Sequence, residues 1–253
     1  GLDRRKGVGV LAVGTPDIDW LTIASEPFVY QGKKHAALPG FRIARYPITN
    51  AQFKAFVDDG GYGEDRWWQG LSKRIDSLPP EWDEPNSPRE TVSWYEAIAY
   101  CRWLSERLRI AVTLPSEQQW ERAASGTKGL MFPWGAEYKS GYANCNETRE
   151  NVGPHSINRT SVVGIYPQGA SPDGVLDLAG NVWEWCLNEY AKPQNTQPSG
   201  EASRVLRSGS WGGNPLSARA AARISPDPAD RFNSIGFRVC SVVPPSNSWP
   251  PAC

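Results

Sequence analysis

Glycine and proline interrupt this chain so often that long helices and a large doubly wound sheet are disfavoured. The 253 residues include 24 glycines and 22 prolines, which separate short stretches that contain aromatic residues. Glycine adopts backbone conformations that other residues avoid, and proline cannot donate a backbone hydrogen bond, so both break regular elements. We therefore predict an α+β fold that is rich in loops, with short helices and small antiparallel sheets.

Three segments carry the capping box of a helix N-terminus, in which a hydroxyl residue is followed three positions later by Glu or Gln. They are Thr49 to Gln52, Ser93 to Glu96 and Ser116 to Gln119. Gly60-Gly61 and Gly126 are placed to end the first and third helices. The second helix has the clearest apolar face, formed by Trp94, Ala97, Ile98, Cys101, Leu104 and Leu108 at helical spacing.

The charge balance disfavours generic nucleic-acid binding. Lysine plus arginine equals aspartate plus glutamate, at 27 each, so no basic field is available to hold a phosphate backbone. No apolar run approaches the roughly 18 residues that a membrane-spanning helix needs. Residues 1–16 also lack the apolar centre of a signal peptide. We expect no membrane insertion, and the absence of an initial Met indicates a trimmed chain or a piece of a larger protein.

The cysteines and histidines limit which covalent and metal chemistry is available. An odd number of widely spaced cysteines without a Cys-x-x-Cys pair does not form a disulfide framework and favours a reducing compartment such as the cytoplasm. The only histidines are His35 and His155, too few for a metal site that needs several imidazoles. The five cysteines are Cys101, Cys145, Cys186, Cys240 and Cys253.

A series of short motifs, in a fixed order along the chain, resembles the formylglycine-generating-enzyme subclass of the C-type lectin fold. The most specific are Gly180-Asn-Val-Trp-Glu-Trp185, Arg204-Val-Leu-Arg-Ser-Gly-Ser-Trp211 and Gly236-Phe-Arg238. The resemblance implies a single C-type-lectin-like domain over residues 1–253. Upstream the matching motifs are Tyr46-Pro-Ile-Thr-Asn-Ala-Gln-Phe53, Val92-Ser-Trp94, Leu114-Pro-Ser-Glu117 with Trp120-Glu121, and Phe132-Pro-Trp-Gly135.

The residues that carry the reaction in that family are missing here. In its enzymes, two cysteines after the Gly-Gly-Ser-aromatic element bind copper and perform the oxidation. Counted from Trp211, these positions fall on Gly213 and Ala218, whose side chains cannot ligate a metal. We therefore predict no copper and no enzymatic activity. The two histidines also argue against the sulfoxide-synthase relatives of this fold, whose iron site uses several histidines from an additional helical domain.

The resemblance implies a structural calcium site at the Gly180 to Trp185 motif. Asp177 and Glu184 would supply carboxylate oxygens, while Gly180 and Val182 would supply backbone carbonyls, the hard oxygen ligands that calcium prefers. The alternative is that Glu184 is a buried acid satisfied by an arginine or by backbone amides. A second family calcium site, at Asn144 and the Cys145 carbonyl, lacks a clear acidic counterpart here.

Residues 212–235 have an unusual composition, because they contain no Lys, Glu, Gln, Met or Trp. These residue types cannot be reached when the adenines of an Asn codon, AAY, are randomised. In location, framing and content the segment is similar to the diversified part of variable proteins of diversity-generating retroelements. The alternative is an ordinary Ala/Pro/Ser-rich surface loop of a non-catalytic relative.

This similarity implies a candidate variable region over residues 204–240, in which fixed motifs frame exposed positions. Arg219 and Arg223 could instead be frame residues that pair with buried carboxylates. The candidate variable, ligand-contacting positions are Ser208, Gly212, Gly213, Leu216, Ala218, Ala220, Ala222, Ile224, Pro226, Pro228, Ala229, Phe232 and Ser234.

The sequence thus favours a non-enzymatic binding protein whose partner is a protein or another macromolecule. The alternatives are an accessory or structural domain with one fixed partner and, less favoured, a formylglycine-generating-type oxidoreductase. Core packing explains the tryptophans that lie within or beside the family motifs, namely Trp94, Trp103, Trp120, Trp183, Trp185 and Trp211. Trp67 and Trp68 leave a second interpretation open, in which an exposed aromatic pair forms part of a binding wall.

Overall fold

The computed structural model describes residues 5–242, so Cys253 lies outside the described residues. Within this range the chain forms helices α1 (Asn50–Asp58), α2 (Asp65–Trp68), α3 (Trp94–Leu108) and α4 (Glu117–Ser125). Short 3-10 helices lie at Glu147–Glu150, Pro167–Gly169 and Pro215–Ala218. The strands are β1 (Trp20–Ile23), β2 (Phe28–Tyr30), β3 (Lys33–His35), β4 (Phe41–Ala44), β5 (Val112–Thr113), β6 (Trp183–Glu189), β7 (Arg204–Arg207), β8 (Ile235–Gly236) and β9 (Cys240–Val242).

The strands form small sheets joined by long loops, which confirms the predicted loop-rich α+β fold. One sheet has the order β1-β4-β9-β5, and β2 and β3 form a hairpin. The third sheet has the order β7-β6-β8. The pairs are antiparallel except that β8 runs parallel to β6, through Trp183 opposite Ile235 and Glu184 opposite Gly236. None of the helices in residues 5–242 is both long and apolar enough to span a bilayer.

The three predicted capping boxes are all present and fix where α1, α3 and α4 begin. In each, the hydroxyl of Thr49, Ser93 or Ser116 accepts the backbone N–H three residues later, and the Glu or Gln there accepts the N-cap N–H. Gly60 follows α1 and Gly126 ends α4, both with positive φ, as predicted. An N-cap of this kind stabilises a helix by about 1 kcal/mol.

The core is strongly aromatic, as the family motifs indicate. Trp94, Trp103, Trp120 and Trp185 are almost completely buried. Around α1 and α3 the ring of Tyr100 stacks on Phe53 at 5.5 Å between centroids. The interpretation of the motif tryptophans as core residues is therefore confirmed for these four.

Trp67 and Trp68 are also buried, so the idea that they form an exposed binding wall is wrong. Their exposed fractions are 6% and 5%. Both belong to the short helix α2 and pack in the cluster that includes α3. Trp68 Nε1 donates to the carbonyl of Gly61 at 3.0 Å, which satisfies its polar atom inside the core. The sequence gives no sign that this short segment folds back onto α3.

A buried ion pair between Glu184 and Arg238 lies where the sheets meet. Arg238 Nε and Nη2 donate to the two carboxylate oxygens of Glu184, each at 2.6 Å, and both side chains are fully inaccessible to solvent. Trp120 Nε1 on α4 adds a third hydrogen bond to this carboxylate, at 2.7 Å. Charge-assisted bonds with two contacts at fixed geometry are among the strongest in proteins.

The same guanidinium also holds backbone from the first sheet and from the turn before β6. It donates to the carbonyls of Ala44 at 3.1 Å and Leu176 at 2.9 Å. One side chain thereby joins β4, β6 and the segment between Gly174 and Asp177. We infer that Arg238 fixes how these elements sit against one another.

We predict that Arg238→Met lowers the free energy of unfolding by about 3–5 kcal/mol, because it leaves Glu184 charged and unpaired in the interior. The matched control is Asp58→Asn, which breaks the exposed pair between Lys54 and Asp58 on α1. That control should cost less than about 0.5 kcal/mol. Urea denaturation of both variants provides the measurement, and equal losses would contradict a central role for Arg238.

Candidate functional site

The candidate variable segment is a long loop whose two ends are held in one sheet. It leaves β7 at Arg207, passes through the 3-10 helix Pro215–Ala218 and returns as β8 at Ile235. Midway, Ile224 pairs with Leu206 of β7 through two backbone hydrogen bonds, of 3.1 and 3.2 Å. Backbone contacts therefore fix the loop at its ends and at several points between them.

Three large apolar side chains of the loop between β7 and β8 face solvent. Leu216 is 55% exposed, Ile224 41% and Phe232 58%. Partly exposed positions accompany them: Gly212, Gly213, Ala222, Pro226, Ala229 and Ser234.

Ser208 and Pro228, two of the predicted contact positions, are buried, so the prediction that they lie on the surface is wrong. Hydrogen bonds to other parts of the backbone hold both residues in place. Ser208 Oγ donates to the carbonyl of Gly180 at 3.0 Å, and Gly180 N–H donates to the Ser208 carbonyl at 2.7 Å. The carbonyl of Pro228 accepts the N–H of Trp94, the first residue of α3, at 3.0 Å. Both residues belong to the frame.

Ala218 and Ala220 are buried as well, so they cannot contact a ligand. Ala218 has no exposed surface and packs in a cluster of small side chains that includes Cys145 and Ala179. Ala220 is 1% exposed, and its N–H donates to the carbonyl of Met131 at 2.8 Å. Alanine is compatible with either environment, which is why the sequence did not separate these two positions from their exposed neighbours.

The two positions that carry cysteines in the enzymes of the family have different surroundings here. Gly213 is partly exposed, and its carbonyl accepts the N–H of Asn146 at 2.9 Å. A Cβ atom at this position would lie 2.5 Å from Ser217 Oγ, so a larger residue would displace that hydroxyl. Ala218 faces the interior. Neither side chain offers a metal ligand.

The cysteines of the described residues are not prepared as reactive thiolates. Cys101, Cys145, Cys186 and Cys240 are all free and buried. Burial raises the pKa of the Cys145 thiol to about 12, and it raises the pKa of Cys240 to about 12 as well. Reactive cysteines instead have lowered pKa values and partial exposure.

A fixed aromatic edge, formed by Trp82 and Trp211, borders the segment. The two rings meet edge to face with centroids 5.3 Å apart. Trp211 Nε1 donates to the carbonyl of Asn233 at 3.1 Å, and the Arg159 guanidinium lies 5.7 Å from the Trp82 ring. Sequence reasoning missed Trp82, because it lies in a proline-rich loop far from the motif that contains Trp211.

A loop ordered by Glu147 contacts the start of the segment. The Glu147 carboxylate accepts hydrogen bonds from Tyr138 Oη, Ser140 Oγ and the Gly141 N–H at 2.7–2.8 Å. Burial raises the pKa of this carboxyl, but hydrogen bonds led by that of Gly141 outweigh burial and hold the pKa below its ordinary value. Arg149 of this loop donates to the carbonyl of Gly212 at 3.2 Å. The loop therefore fixes the start of the segment.

The two arginines proposed as frame residues behave differently. Arg223 pairs with the buried Glu117 on α4, with Nε to Oε2 at 2.9 Å and Nη2 to Oε1 at 3.0 Å. Its role as a frame residue that pairs with a buried carboxylate is confirmed. Arg219 is exposed, and its Nε donates to the carbonyl of Leu216. Within residues 5–242 it has no carboxylate partner at ion-pair distance, so the same prediction for Arg219 is wrong.

The predicted calcium ligands do not offer a shared set of free oxygens. Glu184 gives both carboxylate oxygens to Arg238, which supplies the positive charge that a cation would bring. Asp177 Oδ2 accepts the N–H of Gly164 at 2.7 Å, and burial raises the pKa of this carboxyl to about 6. The carbonyl of Gly180 accepts the Ser208 hydroxyl, and Val182 is fully buried. The arrangement fits the alternative of an arginine-paired acid better than it fits a cation.

Comparisons with known proteins agree with this fold. A model of the sulfatase-modifying factor enzyme 1-like domain matches residues 9–242. The hercynine oxygenase of Mycolicibacterium thermoresistibile is 32% identical over 246 residues, covering 81% of this chain and 52% of that protein. The inactive C-alpha-formylglycine-generating enzyme 2 of Mus musculus is 30% identical, covering 79% of this chain and 75% of that protein. The chain spans 52–61% of the length of the hercynine oxygenases it matches.

Solved structures show the same architecture at lower identity. Treponema denticola variable protein 1 superposes with a TM-score of 0.68 and 21% identity, over 92% of this chain and 98% of that one. PvdO from Pseudomonas aeruginosa superposes with a TM-score of 0.66 and 23% identity, over 94% and 100% of the two chains. The predicted C-type lectin fold of the formylglycine-generating-enzyme type is confirmed.

We predict that the exposed positions of the segment tolerate substitution and the buried ones do not. Leu216→Asn, Ile224→Asn and Phe232→Asn should each change the free energy of unfolding by less than about 0.5 kcal/mol. Ala220→Asn introduces the same residue at a buried site and should cost about 2 kcal/mol or more, because the amide is desolvated and overpacked. Chemical denaturation compares the four variants, and similar losses at all four positions would contradict the division into surface and frame.

We expect millimolar calcium, or its removal by EDTA, to change the melting temperature by less than about 2 °C, because Arg238 already neutralises Glu184. Differential scanning calorimetry with magnesium as the matched ion measures the effect. An increase in melting temperature above about 2 °C that occurs with calcium but not with magnesium, and that is lost in Asp177→Asn, would contradict this expectation and support the calcium site.

Proposed function

The chain belongs to the sulfatase-modifying factor enzyme 1-like family, and we propose that it is a non-enzymatic binding protein that presents residues 204–240 to a macromolecular partner. The proposal rests on the difference between the exposed side chains of this segment and its buried ones. Leu216, Ile224 and Phe232 in the loop between β7 and β8 face solvent, while Arg207 and Arg223 pair with glutamates of α4 and hold the segment to the scaffold. A surface built this way can change its contact residues without loss of the fold.

The residues at the former catalytic positions support a binding function. Gly213 and Ala218 bring no thiol to the place where the enzymes of this family have two, and Cys145, which packs in the same cluster as Ala218, is buried with a raised pKa. The mouse relative is itself named as inactive. A scaffold that keeps its frame and loses its ligating residues retains a surface but not the reaction.

The chemistry of the surface favours a protein partner over a sugar. Leu216, Ile224 and Phe232 provide apolar anchors, and the edge of Trp82 and Trp211 adds aromatic area that contacts Asn233, the neighbour of Phe232. Aromatic and apolar anchors dominate the energy of protein interfaces, whereas sugar recognition depends on several fixed polar side chains.

We also propose that the exposed positions of this segment are diversified by adenine mutagenesis. The absence of Lys, Glu, Gln, Met and Trp from residues 212–235 supports this, since an AAY codon cannot reach those types. The likeness in fold to Treponema denticola variable protein 1 supports it at the level of architecture. Diversification requires that the exposed positions accept substitutions without loss of stability, which is the result expected for Leu216, Ile224 and Phe232.

An accessory domain with one fixed partner is the second candidate function. It is favoured by the match to hercynine oxygenases, of whose length the chain spans little more than half. In that case the exposed segment would contact another part of a larger protein or assembly, and its residues would not vary.

Sequencing the genomic locus distinguishes these two functions. We expect a reverse-transcriptase gene nearby and a template repeat that differs from the coding segment at adenines. The differences should fall on codons for exposed positions such as Leu216, Ile224 and Phe232. A locus without these elements would contradict diversification and leave the accessory domain.

An oxidase assay tests the absence of catalysis directly. Copper-loaded protein is incubated in air with a cysteine-containing peptide, and mass spectrometry follows conversion of the thiol. We expect no conversion above a copper-only control, because positions 213 and 218 carry no thiol. Turnover that depends on the protein would overturn the proposed function.

A further inference from the structure

A groove of about 800 Å³ lies apart from the candidate variable segment. We name it the α1 groove: its walls are α1, the segment Val10–Gly14 and the proline-rich segment Ser77–Pro85. None of the candidate variable positions lines it. Its volume falls within the range of roughly 300–1,000 Å³ that is typical of small-molecule sites.

Apolar side chains dominate the opening of the α1 groove. Val10, Val13, Val57 and Leu78 line it and are 37–77% exposed. Large apolar residues that gather around one concave surface mark a binding site more often than residues that are scattered singly. The groove therefore offers a surface for an apolar chain.

Arg89 brings an unusual charge to this apolar groove. The residue lines the groove, is only 4% exposed, and its guanidinium lies 4.7 Å from the centre of the Phe53 ring. Nη2 donates to the carbonyl of Leu78 at 2.5 Å, but Nε has no hydrogen-bond partner. Within residues 5–242 no carboxylate lies at ion-pair distance from Arg89.

The other cations of the groove are already paired. Lys54 contacts Asp58 at 2.6 Å, and Arg107 pairs with Asp59. Asp83 also lines the groove but is exposed, so water screens its charge. Burial lowers the pKa of Arg89, and the charges of Glu96 and Glu90 offset this only in part. Among the described cations that line the groove, Arg89 is thus the one without a carboxylate at ion-pair distance.

We propose that the α1 groove binds a small carboxylic acid with an apolar chain. The carboxylate pairs with the Arg89 guanidinium, and the chain lies along α1 between Leu78 and Val57. A guanidinium in an apolar site binds a carboxylate strongly, because both charges are compensated in the same step and the geometry suits two hydrogen bonds. This site is independent of the function proposed for residues 204–240.

Titration calorimetry with octanoate, and with octanol as its uncharged analogue, tests the proposal. We expect saturable binding of octanoate at one site, at least about tenfold tighter than that of octanol. Absence of saturable octanoate binding, or equal affinities for the two compounds, would overturn it.

Two variants locate the site. Ala55→Trp fills the groove from the partly exposed face of α1 and should abolish octanoate binding, whereas Leu216→Ala on the variable segment should leave it unchanged. Arg89→Met should remove the preference for octanoate over octanol. Because Arg89 is buried, circular dichroism must first show that Arg89→Met folds. If it does not fold, octanoate binding by Ala55→Trp is the test of the site. Unchanged octanoate binding by Ala55→Trp would place the site elsewhere and contradict the proposal.

Discussion

Buried pairs between glutamate and arginine organise this protein. Glu184 with Arg238, Glu121 with Arg207, and Glu117 with Arg223 join α4 and β6 to the segments that flank and cross the candidate surface. Such pairs contribute modestly to net stability, because desolvation offsets much of their attraction. We infer that they act on specificity, because an arrangement that misplaces one partner leaves a charge unpaired in the interior. The frame is therefore determined by a few polar contacts as well as by the aromatic core.

This division explains how a binding surface can be kept apart from the determinants of the fold. Arg207 and Arg223 point inward to glutamates of α4, whereas Leu216, Ile224 and Phe232 point outward. A change in an outward side chain removes no charge partner and leaves no cavity in the core. The energetic cost of variation is then low at the positions where a partner would make contact. Ala218 is also part of the buried scaffold: its small side chain packs in the interior at the position where the enzymes of the family have a thiol.

The sequence predicted those features that depend on local chemistry. The N-caps Thr49, Ser93 and Ser116 were found because a capping box is a contact within four residues. The end of α3 was not predicted, because Arg109 adopts the left-handed conformation there and its residue type does not indicate this. The burial of Trp67, Trp68, Ala218 and Ala220 depends on contacts made by distant segments. The same holds for the α1 groove, which takes its walls from three separate parts of the chain.

The loop from Asp76 to Thr91 connects the α1 groove to the candidate variable segment. Arg231, next to Phe232, donates to the carbonyl of Asp76 at 2.7 Å, and the N–H of Thr91 donates to the Phe232 carbonyl at 3.1 Å. Within the same loop, Arg89, which lines the groove, donates a hydrogen bond to the carbonyl of Leu78. A ligand in the groove therefore alters partner binding only if this loop has two arrangements that both sites distinguish. In that case the coupling must be reciprocal, and a bound partner would change the affinity of the groove by the same factor.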